Sequence, residues 1–253
     1  MSIDLSEFSG LPLKLDKKNR LVFGKGMKKV VADVRTREQM IPVLKNNTHK
    51  MPKEFYYMYR NVCLKKDEKK IEKNFLRYDI TILPPFVVGD EYNKTFGHYH
   101  PKIPNTNTWY PEVYEVIHGR AHYFLQDENS EELLIYDARQ GDKCLMLPGY
   151  GHVTINPSKE TLVMANWVFP GFKSIYEPVK LLKGFSWYET KNGLVKNRNY
   201  GQHGRIKLIY PKMFPELGLT EKPIYNEAMQ NPKKFEWLYK PQKYLKIFQK
   251  YLE

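Results

Sequence analysis

The chain has 253 residues, 42% of them apolar and 14% aromatic, with 41 Lys+Arg against 28 Asp+Glu and a formal net charge of +13. That apolar content excludes a disordered chain and suits one large domain, or a domain with an appendage, around a real core. No apolar run approaches the roughly 18–20 residues that span a bilayer. With only Cys63 and Cys144 there is neither a disulfide framework nor a thiolate zinc site.

The first residues, MSIDLSEFSGLPLKLDKK, carry early acids and no apolar stretch, unlike a signal peptide, so the expected compartment is the cytoplasm. The lysines are scattered in pairs (Lys17 and Lys18, Lys28 and Lys29, Lys65 and Lys66, Lys69 and Lys70, Lys233 and Lys234). Such pairs are too short for a polybasic arm and accompany no nucleic-acid motif. They read as a solvated surface whose field helps gather a small anion, with no nucleic-acid or membrane partner. Residues 1–35 read as short strands and turns, at 21–23 and 29–31 for example. Residues 37–47 read as a short helix interrupted by Pro42, and 53–63 as an aromatic strand. From residue 76 come short β-branched or aromatic runs at 78–83, 86–88, 112–117, 121–126, 132–136, 144–147, 152–156 and 161–169. Turn residues separate them, such as Pro84–Pro85, Gly141–Asp142 and Pro148–Gly149; this spacing predicts an all-β sandwich or barrel. Residues 185–197 read as a hairpin around Asn192–Gly193. From Pro211 the texture is helical at 223–230 and 233–252, broken at Pro241. Tyr244, Ile247, Phe248 and Tyr251 recur at i, i+3, i+4, i+7, one apolar face that should be buried. The division expected is a domain at 1–205 and a helical extension at 206–253 packed on it.

One constellation carries chemistry. His98 and His100 flank Tyr99, followed by Glu112 and Gly119; downstream come Gly141, Pro148, His152 and Asn156. Side chains at i and i+2 of a strand share a face. His98 and His100 therefore aim inward with Tyr99 outward, while Glu112 and Tyr114 share a face opposite Val113 and Glu115. A lone histidine in a β-domain is ordinarily a hydrogen-bonded polar residue. Three imidazoles and a carboxylate in this spacing instead suit a first-row divalent metal, catalytic if a coordination position stays open.

These elements resemble the paired motifs of the cupin superfamily: His-x-His, Glu-x6-Gly, then Pro, Gly and His-x3-Asn. Eleven residues, PKIPNTNTWYP at 101–111, separate His100 from Glu112 where many cupins have a few, and they are expected to form a loop at the barrel rim near the metal. The strings TFGHYHPK, PEVYEVIHG, LPGYGHVTIN and LLKGFSWYE run in the order found in the cupin-type glucose-6-phosphate isomerases of archaea and bacteria, a resemblance covering residues 20–200 or so. It implies a cupin double-stranded β-helix (jelly-roll) barrel with a short N-terminal helix and the C-terminal helical extension. It implies metal ligands at His98, His100, Glu112 and His152, holding one divalent ion per subunit: Fe(II) first, with Mn(II), Ni(II) or Zn(II) as alternatives. Phosphate contacts fall on Thr81, Thr95 and Gly97, and the family's active-site tyrosine on Tyr114. Where the family has a further tyrosine and a histidine for phosphate, this chain has Phe169 and no clear histidine, leaving Lys173 or Tyr176 as substitutes. The activity implied is interconversion of glucose 6-phosphate and fructose 6-phosphate by a cytoplasmic homodimer, in glycolysis and gluconeogenesis. Glu112 or Tyr114 would handle the proton of an enediol route, with a hydride shift as the other route. A different sugar-phosphate isomerase or epimerase, an Fe(II) cupin oxygenase and a non-catalytic sugar-binding cupin are the competing readings.

Overall fold

Strands form where β-branched and aromatic runs meet turn residues, and the computed structural model, which describes residues 2–46 and 50–252, shows how they assemble. In chain order these are β1 (Ile3–Asp4), α1 (Ser6–Ser9), β2 (Leu13–Leu15), β3 (Leu21–Phe23), β4 (Asp33–Thr36), α2 (Arg37–Met40), β5 (Glu54–Tyr59), α3 (Glu68–Lys73), β6 (Arg77–Leu83), β7 (Val87–Val88) and β8 (Glu91–Tyr92). There follow β9 (Glu112–His118), β10 (Arg120–Asp127), β11 (Glu132–Arg139), β12 (Lys143–Met146), β13 (Tyr150–Ile155), β14 (Leu162–Val168), α4 (Glu177–Leu181), β15 (Trp187–Thr190), β16 (Gly193–Lys196), β17 (Arg205–Ile209), α5 (Ile224–Gln230) and α6 (Leu245–Leu252).

A six-stranded sheet in the order β12-β9-β14-β6-β5-β4 faces a four-stranded sheet in the order β13-β10-β11-β17. Their side chains meet between the layers: the Tyr114 and Tyr123 rings lie 5.4 Å apart, and the Tyr123 hydroxyl is 3.6 Å from Met164 Sδ. This is the all-β, cupin-like layering expected, with one difference: the two ladders do not join into a closed barrel. Strands β6 and β14 are buried almost throughout, because the six-stranded sheet is covered on both faces, as near-continuous apolar strands require. On its outer face the Tyr78, Trp167 and Tyr225 rings pack together at 4.9–5.9 Å, bringing α5 of the extension against β6 and β14.

Several expectations shift by a few residues. No strand forms at 29–31; Val31 is 93% exposed, and the strand comes at Asp33–Thr36. Residues 37–43 do turn helically, as α2 and then a 3-10 turn (Ile41–Val43) that accommodates Pro42. In the β15–β16 hairpin Thr190 pairs with Gly193, so Lys191 and Asn192 make the turn and Gly193, at φ +103°, opens the return strand. The expected boundary at 205/206 falls inside β17, whose residues pair in parallel with β11. In the tail, Phe248 and Tyr251 are buried while Tyr244 and Ile247 are half-buried, and Tyr136 donates to the Tyr251 hydroxyl at 3.2 Å. Among the described residues no helix is long and apolar enough to cross a membrane.

Candidate metal centre

His98 and His100 lie on an extended segment between β8 and β9 that is stitched to β13. The His98 N–H donates to the His152 carbonyl at 3.1 Å, and the His152 N–H returns to the His98 carbonyl at 2.9 Å. Tyr99 pairs on its other side with Ile175, through bonds of 2.9 and 2.8 Å. The alternation therefore holds, but Tyr99 does not reach solvent. It is 8% exposed, with its ring against Gly151, where a Cβ would approach it to 2.6 Å. Gly151 thus permits the close packing that holds the histidine segment on β13.

The four expected ligands converge from both sheets, and their nearest ligand atoms lie within 4.8 Å of one another. His98 Nε2 is 3.2 Å from His100 Nε2; Glu112 Oε2 is 3.4 Å from His100 Nε2 and 3.2 Å from His152 Nε2. Neighbouring supports fix the orientations. His100 Nδ1 lies 2.8 Å from the Tyr110 carbonyl, to which it donates in the tautomer that leaves its Nε2 lone pair toward the cluster, and Asn166 donates to Glu112 Oε1 at 2.5 Å. Such second partners set the tautomer and angle of metal ligands. Burial, and then the His152 and His100 imidazoles, push the His98 pKa well down, while burial pushes that of His152 down against the opposing pull of Glu112, so the site favours the neutral, metal-binding form of both rings. Burial alone would raise the Glu112 carboxyl, but the His100 and His152 imidazoles beside it outweigh that and hold the group well below its usual range.

The donor set fits a divalent cation. Both ring nitrogens of His152 are buried without a hydrogen-bond partner, a cost that proteins ordinarily avoid, and two imidazole Nε2 atoms face one another. Ligands about 2.1 Å from one ion stand about 3.0–3.4 Å apart at right or tetrahedral angles, matching the separations above.

The cluster opens into a cavity whose lining includes Thr81, Thr95, Gly97, Tyr114 and Tyr176. Gly97 has φ +79°, and the Thr95 hydroxyl accepts the Thr154 N–H at 2.9 Å. Burial and then the Glu112 charge push the Tyr114 phenol well up, so at neutral pH it holds its proton. Lys173 is exposed and does not line the cavity; Phe172 and Ser174 do. Phe172 lies 4.5 Å from the His100 ring and stacks on Tyr110 at 4.8 Å, while Phe169 packs on Tyr110 at 5.2 Å. The 101–111 loop thus reaches His100 of the four-residue cluster, with an aromatic rim beside it.

Sequence reasoning missed Tyr56, Arg60, Arg77, Asp79 and Asn166, all on the cavity wall. A signal for two of them exists: in RYDITIL the polar residues Arg77, Asp79 and Thr81 alternate with Tyr78, Ile80 and Ile82, marking one polar face. Arg60 follows the end of β5, and alternation does not reach it.

The chain matches the family model "Glucose-6-phosphate isomerase (GPI)" over residues 27–205. A curated glucose-6-phosphate isomerase of Thermococcus litoralis is 30% identical over 106 residues, covering 42% of this chain and 51% of that protein. One of Pyrococcus abyssi (strain GE5 / Orsay) is 31% identical over 111 residues, covering 44% and 54%. The chain spans about half the length of the curated relatives it matches. Among solved structures, an oxalate oxidase in complex with the substrate analogue glycolate aligns at TM-score 0.34 and 15% identity, over 43% of this chain and 49% of that chain. The oxalate decarboxylase from Bacillus subtilis at pH 4.6 aligns at TM-score 0.34 and 17% identity, over 48% and 27%.

Proposed function

The chain belongs to the glucose-6-phosphate isomerase (GPI) family, and on that premise we propose that it interconverts glucose 6-phosphate and fructose 6-phosphate using one divalent metal ion held by His98, His100, Glu112 and His152. The observation that carries this is the convergence of those four ligand atoms around one point, with the His152 nitrogens unpartnered. Fe(II) is the first choice and Mn(II), Ni(II) or Zn(II) the alternatives, since imidazole with one carboxylate suits all four.

When bound, the ion supplies Lewis acidity toward the oxygens of the reacting carbons. The protein does the rest. Thr81 and Thr95 offer hydroxyls, and Gly97 offers close backbone approach, for the phosphate. Tyr114, protonated on the cavity wall, donates a hydrogen bond or a proton to a sugar oxygen. Glu112, held by Asn166 and facing two histidines, acts first as a ligand; coordination would reduce its basicity, which is compatible with a hydride shift as well as with an enediol route that uses Tyr114. Phe172 and Tyr110 exclude water beside His100, and Tyr176 completes the wall. The two cavity guanidiniums and the ion outweigh the Glu112 and Asp79 carboxylates, so the loaded cavity favours an anion.

On the same reading the protein works as a cytoplasmic homodimer in glycolysis and gluconeogenesis, with 206–253 as an extension braced against the 1–205 domain. A sugar phosphate other than glucose 6-phosphate is the second reading, favoured by Phe169 on the rim where the family resemblance has a tyrosine. The test is turnover of fructose 6-phosphate by metal-depleted and metal-restored protein. Activity abolished by chelator and restored by Fe(II) or Mn(II) supports the reading. A metal-replete protein inert toward both hexose phosphates rejects it.

A further inference from the structure

The register of the six-stranded sheet gives the cavity two ends. Across β14 and β6, Val168 pairs with Arg77, Asn166 with Asp79, and Met164 with Thr81. Across β14 and β9, Asn166 pairs with Tyr114 and Trp167 with Val113, which sets Glu112 at the level of Val168 and Arg77. Arg77 and Thr81 are four residues apart, about 13 Å along a strand. The cationic end of the wall is therefore the metal-ligand end, and the Thr81 hydroxyl lies toward the other.

At the metal-ligand end the charges are unequally engaged. Arg77 already satisfies Asp79, with Nε 3.0 and 2.9 Å from its two oxygens and Nη2 at 2.8 Å. Asn61, at φ +57°, adds its N–H to Asp79 Oδ1 at 2.9 Å. Arg60 is the second cation on the same carboxylate. Its ion pairs are long, 3.5 Å to Asp79 and 3.9 Å to Asp33, and its hydrogen bond goes to Met58 Sδ at 3.5 Å. A guanidinium carries five donors, so most of those on Arg60 are unspent, and its side chain is 44% exposed at the cavity.

Resting on the isomerase reading, we infer that Arg60 is a substrate-contacting residue whose guanidinium, tethered by Asp79, donates to the oxygens at the reacting end of the sugar, not to its phosphate. By the enediolate or the hydride route, negative charge develops on the oxygens of carbons 1 and 2. A preoriented donor aimed at that charge stabilises the transition state more than the ground state. Arg77 and Asp79 act through Arg60: the fork of Arg77 fixes the carboxylate, and the carboxylate fixes Arg60.

The test uses metal-loaded full-length protein with Arg60→Ala and Arg60→Lys, checked for unchanged metal content and circular dichroism. Calorimetry measures two probes: a five-carbon sugar-acid phosphate, whose carboxylate imitates charge at the reacting end, and inorganic phosphate. Arg60→Ala should weaken the sugar acid at least about tenfold, about 1.4 kcal/mol, and leave inorganic phosphate within about twofold. It should lower kcat for fructose 6-phosphate more than it raises KM, and Arg60→Lys should recover part of both losses. Equal weakening of the two probes would make Arg60 a phosphate clamp, and unchanged binding of both would make it a solvated surface residue; either overturns the inference. If wild-type protein binds the sugar acid in an Arg60-dependent way yet turns over no hexose phosphate, the substrate reading fails while the reacting-end contact stands. A wild type that binds neither probe removes both.

Discussion

Supplying a divalent ion to metal-depleted protein should stabilise it by an amount that can be worked out beforehand. The ligand atoms of His98, His100, Glu112 and His152 are already assembled, with neighbouring separations of 3.2, 3.4 and 3.2 Å, so binding needs little rearrangement. An ion that binds only the folded state, at about a hundred times its dissociation constant, adds about 2.7 kcal/mol. For a chain of this size each kcal/mol moves Tm by about 2–4 °C, giving a rise of about 5–11 °C. Differential scanning calorimetry with Fe(II), Mn(II), Ni(II) and Zn(II) in turn reads the rise, and chelator should reverse it. His100→Ala removes one imidazole and its Tyr110 support and should lose most of the gain. If no ion raises Tm, or if His100→Ala gains as much as wild type, the cluster is not a metal centre, and the unpartnered His152 nitrogens need another explanation.

Tyr114→Phe, which removes one hydroxyl from the cavity wall, should keep bound metal unchanged by elemental analysis while kcat falls about a hundredfold or more, the usual worth of a positioned acid–base group; unchanged kcat would confine Tyr114 to packing. Gly97→Ala places a Cβ 3.2 Å from both Phe185 and Val153 at φ +79°, and left-handed backbone costs an L-residue about 1–2 kcal/mol. Its Tm should fall and its KM rise, and a variant matching wild type in both would remove Gly97 from the phosphate cradle. Glu115 is pushed up to about 7 from 4.5 by burial, against the opposing pull of Lys143 and the Ile224 N–H. A carboxyl raised on folding contributes stability that is full below its unfolded value and is lost as pH rises through its folded value. Denaturant titrations from pH 4.5 to 8 should show that decline, worth up to about 3 kcal/mol at 1.36 kcal/mol per pKa unit, and Glu115→Gln should flatten it; parallel profiles would refute the assignment.

The candidate ligands were legible in two ways: alternation along an extended segment put His98 and His100 on one face, and the cupin-like motif spacing added Glu112 and His152. The supports were not, because they depend on which strand lies beside which. Asn166 reaches Glu112 only because β14 pairs with β9, at a separation of 54 residues. Tyr110 meets His100 only because the 101–111 loop folds back over it. Arg77 and Asp79 shared a readable polar face with Thr81, but nothing local showed that Arg60, 17 residues before Arg77, would complete the group. The misplaced strand at 29–31 has a plain cause: Val30 and Val31 have β-propensity, but their backbone finds no sheet partner there, and propensity without pairing does not make a strand.

The same alternation explains why a helical extension sits where it does. On β9, Glu112 and Tyr114 point into the cavity, so Val113 and Glu115 must point out. On β14, Asn166 points in and Trp167 out; on β6, Arg77 and Asp79 point in and Tyr78 out. The outward set carries a carboxylate, an indole and a phenol that water would otherwise have to cover. Glu115 is 1% exposed, pairs with Lys143 at 2.9 Å and accepts the Ile224 N–H at 2.9 Å, while Trp167 Nε1 donates to the Ile224 carbonyl at 3.0 Å. One residue at the start of α5 thus satisfies two outward side chains at once, and Tyr225 beside it stacks on Trp167 and meets Tyr78 edge to face. Those aromatic pairs are worth about 0.5–1.5 kcal/mol each beyond their buried area, and strands packed on both faces open least readily. Arg77, Asp79, Tyr114 and Asn166 each lie one peptide from a residue the extension holds. The rigidity of the metal-ligand wall is therefore supplied in part by sequence far downstream of Glu112, at Ile224 and Tyr225.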